Sequence, residues 1–256
     1  MASIYDKAEI YDLLDDETRW QAYRRHWQTV LDGAHIETLL DVSIGSGGVT
    51  LPLAELGVRL SGSDLSAAML ARCREKAAAK GIGIDLRQSD FCAVGACFDT
   101  QFDCVASTGN SLPYVPHDGV CRALAQMDSL VKPGGYLYFD LRNWDKILQN
   151  KYRFYLYDPF FRDDTRINFL QVWDYEADGT ITFHLLYTFE KNGHIFHKEK
   201  FEEHYIPIPR EVLLAQLENL GYQAPRILPF PATGKPGEAD ESADADWYCV
   251  LAKKNL

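Results

Sequence analysis

The sequence predicts an α/β protein, a doubly wound and mostly parallel sheet of seven strands with an antiparallel β insertion capping the strand ends. Three observations carry that expectation. Short apolar runs alternate with helical patterns from Ile36 to Leu141. A glycine turn (Gly45, Gly47, Gly48) joins the first run to the next helix. From about Tyr152 the apolar period becomes two, with Asp178-Gly179 and Asn192-Gly193 between the runs, the strongest short-range hairpin signals.

Taken in order, Asp16 or Thr18 can cap a first helix whose Trp20, Tyr23, Trp27, Val30 and Leu31 recur at helical spacing. Residues 1–34 form a helical lid in this reading, with Tyr5 and Tyr11 upstream of the helix. Ile36 to Val42 is strand one, and a helix starts near Val49 to Leu51. Val58 to Ser63 is strand two, with Asp64 at its end. Leu65 to Lys80 is a helix with Met69 and Leu70 inward, closed at Gly81. Gly83 to Arg87 is strand three and Phe102 to Ser107 strand four. Gly119 to Val131 is a helix closed by Lys132-Pro133-Gly134-Gly135, and Tyr136 to Leu141 is strand five. Arg166 to Tyr175, Thr180 to Phe189 and His194 to Tyr205 alternate as strands of the insertion, residues 151–207. Arg210 to Leu220 returns to helix, and Gly221 to Pro229 with Asp246 to Ala252 makes a closing hairpin. The stretch from Pro231 to Asp244 reads as a loop. The main domain is thus residues 35–150 and 208–256.

Bulk properties narrow the function. A net charge of −11 over 256 residues argues against nucleic acid as a partner. No 18-residue apolar run or charged-then-apolar leader occurs, so a soluble, cytoplasmic protein without a membrane partner is expected. Cys73, Cys92, Cys97, Cys104, Cys121 and Cys249 lack C-x-x-C or framework spacing, which suits reduced thiols. His184, His194, His197 and His204 lack an H-E-x-x-H frame, and no metal is expected. No G-x-S-x-G elbow supports hydrolase chemistry.

The glycine loop followed about 20 residues later by Asp64 is the spacing at which doubly wound sheets take an adenosine ribose on an acid. Thr50 stands where a dinucleotide fingerprint needs its last glycine, and no Walker lysine follows for a triphosphate. S-adenosylmethionine is the common adenosine ligand that needs no phosphate cradle. DVSIGSGG followed by GSDLSAAML resembles the first two motifs of the class I S-adenosylmethionine-dependent methyltransferases. STGNSLPYVP, LVKPGGYLYFDLRNWDKIL, LLYTF and KFEEHYIPIP resemble stretches of the glycine and glycine/sarcosine N-methyltransferases.

That resemblance implies a Rossmann-like methyltransferase fold that takes S-adenosylmethionine, releases S-adenosylhomocysteine and methylates the amine of a small amino acid; the alternatives are a methyltransferase acting on another small carboxylate or on a natural-product oxygen or carbon, and a non-catalytic cofactor-binding module. It implies a cofactor site of Tyr11, Arg19, Asp41, Ser43, Gly45, Gly47, Asp64, Leu65, Met69, Asp90, Phe91 and Thr108. Asn110 and Arg142 would hold the acceptor's carboxylate. Tyr187, Tyr205 and one of Tyr155 or Tyr157 would surround its amine. A homo-oligomer is compatible with the resemblance. Three departures stand out: Ile44 precedes the first glycine, Tyr114 replaces a usual histidine, and the N-terminal extension of the animal enzymes is missing.

The chemistry is coherent. A guanidinium binds a carboxylate through two parallel hydrogen bonds. Orientation alone can supply roughly 7–11 kcal/mol towards an in-line methyl transfer.

Overall fold

The computed structural model describes residues 3–231 and 245–255. Twelve strands form two sheets among these residues. The first contains β1 (Thr38–Asp41), β2 (Arg59–Asp64), β3 (Ile84–Gln88), β4 (Phe102–Ser107), β5 (Val131–Arg142), β11 (Tyr222–Pro229) and β12 (Trp247–Lys254). Its order is β11-β12-β5-β4-β1-β2-β3. β1 to β5 run parallel, and β12 is antiparallel to both its neighbours. The order reverses between β1 and β4, so their loops part at the carboxyl edge and leave a crevice.

Alternation along the strands decides what packs where. On β5, Leu137, Phe139 and Leu141 face α4 (His117–Ser129) and α6 (Arg210–Asn219), meeting Val120, Leu124, Met127, Leu213 and Leu217. Tyr138, with Leu39, Cys104 and Leu251, turns to the opposite face. There it meets α2 (Glu17–Leu31) and α3 (Ala67–Ala79) through Trp20, Trp27, Val30, Leu70 and Cys73. Apolar runs buried on both faces are what a parallel sheet requires.

The second sheet is β10 (His194–Tyr205), β9 (Ile181–Lys191), β8 (Thr165–Tyr175) and β6 (Phe154–Leu156), with β7 (Phe160–Arg162) also paired to β8. All its pairings are antiparallel. Asn192 and Gly193 both take positive φ, 51° and 76°, which the tight β9–β10 turn demands. Its inner face carries Ile167, Phe169, Trp173, Phe183, Tyr187 and Phe201. These pack on Trp144 and Ile147 of α5 (Trp144–Asn150) and on Ile4 of the N-terminal strap.

Several boundaries differ from the sequence expectation. The helix expected after the glycine loop is a 3₁₀ helix, Leu51–Leu56. Pro52 has no N–H to give to the i−4 carbonyl, and Gly57 at φ 84° ends the segment. α4 starts and stops two residues earlier than expected. Its expected terminator lies inside β5, where a bulge between Phe102 and Cys104 absorbs it. A Cβ on Gly135 would stand 2.8 Å from the Asp103 carbonyl oxygen, so only glycine fits that approach. Helix α5 was not anticipated; Asn143 caps it, accepting from the Lys146 N–H at 3.2 Å.

At the N-terminus the chain makes a 3₁₀ turn (Ile4–Asp6), α1 (Ala8–Tyr11) and a second 3₁₀ turn (Asp12–Leu14) before α2. Asp16, not Thr18, caps α2 by accepting from the Arg19 N–H at 2.9 Å. The loop expected over Pro231 to Asp244 lies, beyond Pro231, outside the described residues. No described helix is long and apolar enough to cross a membrane. All six cysteines are free thiols.

Candidate active site

One cavity of about 880 Å³ opens at the carboxyl edge of the parallel sheet and continues under the second sheet. Its first end is the glycine loop. Asp64, at the tip of β2, accepts from the Gly45 N–H at 2.9 Å through one oxygen and from the Ser66 N–H at 2.8 Å through the other. A carboxylate oxygen has two lone-pair sites, so each keeps one for a diol. Burial raises the Asp64 carboxyl, and its backbone donors work the other way. Ser43 bridges β1 to β4, with its hydroxyl 3.0 Å from Ser107 Oγ and from the Thr108 carbonyl and N–H. Asp90 caps a 3₁₀ helix (Phe91–Ala96) by accepting from the Cys92 N–H, and both Asp90 and Phe91 line the cavity.

The second end is aromatic and charged. Arg142, the last residue of β5, is only 7% exposed. Its guanidinium lies 4.6 Å from the Trp247 ring centroid and 5.3–5.4 Å from those of Trp173, Phe183 and Tyr155. Its polar contact is Nη2 to Gln171 Oε1 at 3.4 Å, and among the described residues no carboxylate lies within 4.0 Å. A buried charge without a counter-ion is costly, which makes this a place for an anion.

Asn110 supports the same reading. Its Oδ1 accepts from the Arg142 N–H at 3.0 Å and from Trp144 Nε1 at 3.1 Å, which settles the amide orientation. Its Nδ2 is buried with no partner among the described residues, an orphan donor. The residue itself has φ 59°, held by an N–H bond to the Asp140 carbonyl.

The remaining wall is a ring of tyrosines. Tyr187 stacks on Phe169 at 4.2 Å, and Tyr157 stacks on Phe169 at 4.4 Å. Tyr114 OH donates to Tyr205 OH at 2.7 Å and lies 2.9 Å from Tyr5 OH, so one hydroxyl chain joins strap, β4 loop and β10. Burial pushes the Tyr205 phenol up to about 12 and raises those of Tyr5, Tyr114 and Tyr187, keeping them neutral donors and acceptors.

The strap closes this wall. Ser66 Oγ donates to the Tyr5 carbonyl, and Ser3 Oγ and the Ile4 N–H donate to Glu203 Oε1 at 2.8 and 2.9 Å. Asp12, buried beneath it, takes Arg72, Lys76 and Ser46.

Of the residues expected from sequence, Tyr11, Arg19, Ser43, Gly45, Asp64, Leu65, Asp90, Phe91 and Thr108 line the cavity. So do Asn110, Arg142, Tyr187, Tyr205 and both Tyr155 and Tyr157. Arg19 also bonds Tyr23 OH at 3.0 Å and faces Asp15 at 4.0 Å. Three residues do not reach the cavity wall. Asp41 is buried under the loop, accepting from the Ser43 N–H and from the Thr50 and Thr108 hydroxyls; burial pushes its carboxyl up to about 6. Gly47 is a packing glycine at φ 82°, where a Cβ would stand 2.7 Å from Leu51. Met69 is fully buried behind Gly45.

Gln171 and Glu203 were missed. Each sits in phase with the inward set of an alternating strand, Gln171 between Phe169 and Trp173 and Glu203 between Phe201 and Tyr205. A polar residue in an inward phase was the available signal. Trp247 was missed for a different reason, since only sheet pairing of β12 with β5 brings it opposite Arg142.

Among the described residues no group of three His, Cys, Asp or Glu side chains could hold a metal. A family model described as a methyltransferase domain matches residues 39–135, from β1 into β5. The chain is 27% identical to the protein YqeM of Bacillus subtilis (strain 168), over 99% of this chain and 96% of that one. It is 26% identical to the glycine/sarcosine N-methyltransferase of Aphanothece halophytica, over 85% of this chain and 76% of that one. In fold it is similar to an S-adenosylmethionine-dependent methyltransferase from Clostridium acetobutylicum ATCC 824. The TM-score is 0.73 at 18% identity, covering 99% of this chain and all of the other. A crevice at the β1/β4 reversal and an acid with lone pairs left for a diol fit S-adenosylmethionine, and with a methyltransferase domain over residues 39–135 and these matches the chain is an S-adenosylmethionine-dependent methyltransferase.

Proposed function

We propose that the enzyme transfers a methyl group to the amine of a small amino acid, glycine- or sarcosine-like, held by its carboxylate. The observation that carries this reading is Arg142: a buried guanidinium with no carboxylate partner among the described residues, beside the orphan Nδ2 of Asn110. A carboxylate there answers both groups, and Gln171, whose Oε1 is already taken by Trp173 Nε1, can turn its amide donors to the same ligand. Charge-assisted bonds of this kind are worth about 1.5–3 kcal/mol each.

In this reading Asp64 takes the ribose hydroxyls, Asp90 and Phe91 the adenine, and Arg19, Tyr11 and Ser43 the methionine end. The cofactor supplies an activated methyl on a sulfonium. The chain's own residues bind, orient and dehydrate. Tyr187, Tyr205, Tyr155 and Tyr157 surround the acceptor nitrogen, and their apolar faces disfavour its ammonium form. The second sheet serves as the substrate cap and the strap as the lid.

The test is methyl transfer from labelled cofactor across an amino-acid panel, with Arg142→Ala alongside. Label on a small amino acid, with the Michaelis constant raised steeply in the variant, supports the reading. Failure across the panel while calorimetry still reports cofactor binding defeats it.

A further inference from the structure

The same cavity holds a second buried charge that the reading above leaves unused. Glu203 is 5% exposed and lines the cavity wall. Both described donors that reach it, Ser3 Oγ and the Ile4 N–H, bind Oε1; among the described residues no group bonds Oε2 and no cation lies within 4.0 Å. Glu203 pairs across the sheet with Phe183, and the Arg142 guanidinium lies over that same ring. A cation over the Phe183 ring and an anion on that residue's cross-strand partner therefore line one cavity, with no ion pair between them. Two unpaired buried charges are each costly, and a ligand carrying both opposite charges satisfies both at once.

We propose that Glu203 receives the amine end of a zwitterionic acceptor and removes its ammonium proton before methyl transfer. This rests on the amino-acid reading, with the carboxylate on Arg142. The acceptor enters as an ammonium against Oε2. One N–H proton passes to Oε2, giving a neutral carboxylic acid and a free amine. The amine lone pair forms the new N–C bond to the cofactor's methyl carbon, and the C–S bonding pair returns to sulfur. The methylated nitrogen keeps its proton and the product departs as a zwitterion, while the proton on Glu203 leaves to solvent, one proton released per turnover.

The groups facing Glu203 fit a base. Tyr5 comes from the strap, Tyr114 from the β4 loop and Tyr205 from β10 itself; all three are neutral phenols, and each feels the Glu203 charge. Further along the same face of β10, Lys7 is paired with Glu199 at 2.6 Å. Arg142 stands beyond Phe183, while Glu202 and His204 alternate to the other face.

Glu203→Gln tests it, because the amide keeps an oxygen for Ser3 and Ile4 and loses the base. With glycine as probe, kcat/KM at neutral pH should fall about 10²–10⁴-fold, the usual contribution of a positioned base. In the variant the rate should then climb about tenfold per pH unit as solvent deprotonates the amine, while the cofactor Kd stays unchanged. Ser3→Ala, which removes a strap tie and not the carboxylate, should keep the wild-type pH dependence. A Glu203→Gln profile parallel to wild type at every pH, or a uniform loss accompanied by weakened cofactor binding, overturns the proposal. A wild-type enzyme that methylates no amine overturns this and the amino-acid reading together. A wild-type enzyme that does so, with Glu203→Gln unaffected, overturns this proposal alone.

Discussion

At the glycine-loop end, the bonds join residues near one another along β1, β2 and their loops: Gly45 to Asp64, Ser66 to Asp64, Ser43 to Asp41. At the Arg142 end, the wall is aromatic and charged, and its members come from the strap, the β4 loop, β5, β8, β9, β10 and β12. In the proposed reading the first end takes the cofactor, for which rigid local geometry suffices. In that reading the second end takes the acceptor, with long side chains whose placement depends on two sheets meeting.

The contrast can be broken most sharply at Arg142. Arg142→Ala removes two charge-assisted bonds at about 1.5–3 kcal/mol each, so kcat/KM for the amino-acid acceptor should drop roughly 10²–10⁴-fold. Calorimetry on the same variant should give an unchanged cofactor Kd; a change would mean the two ends are not separable. The converse is Asp64→Ala, which should raise the cofactor Kd on the order of 10²-fold and leave the acceptor's Michaelis constant nearly untouched once cofactor saturates.

A pH scan examines the scaffold both ends share. His26 on α2 is buried against Tyr138 OH at 2.8 Å, and burial pushes its imidazole down to about 3. The unfolded chain takes up that proton near pH 6.5 and the native state does not. Stability present above that pH is therefore lost as pH falls below it. Differential scanning calorimetry should show Tm decreasing between about pH 6.5 and 5, and His26→Gln should flatten that slope.

Tyr114→Phe breaks the link between Tyr5 and Tyr205, two hydrogen bonds at about 0.5–1.5 kcal/mol each. We expect up to about a tenfold fall in kcat with a small loss of Tm, and more proteolysis of the strap. Leu65→Ala is the mildest. Leu65 lines the cavity yet is 71% exposed, so the cofactor Kd should rise only about two- to threefold. A larger effect would mean that the ligand covers more of this rim than its exposure implies.

The legibility of the two ends follows their construction. Gly45 and Asp64 could be read because a strand, a turn and the next strand form a unit whose spacing is set by the length of a β-α-β crossover. Asp41, Gly47 and Met69 belong to the same stretch, and the resemblance implies them as ligand contacts too. In the structure they lie beneath the loop and off the cavity wall, a distinction that spacing along the chain does not carry. The hairpins of the second sheet were legible from Asn192-Gly193 and Asp178-Gly179. Helix α5 was hidden behind the strand that precedes it. Its Asn143 cap matters only once Arg142 has ended β5.

The sequence by itself determined the layered α/β architecture, the glycine loop with its acid, and the alternating strands of the second sheet, because each depends on residues within a turn or one crossover of each other. The tertiary structure alone decided that Arg142 turns inward among four rings, that Gln171 and Glu203 share its cavity, and that Tyr114 ties the strap to β10. Those relationships join residues up to 200 positions apart. The free energy that selects them is burial of the two sheets and the strap against one another, a property of the assembled core and of no single stretch of chain.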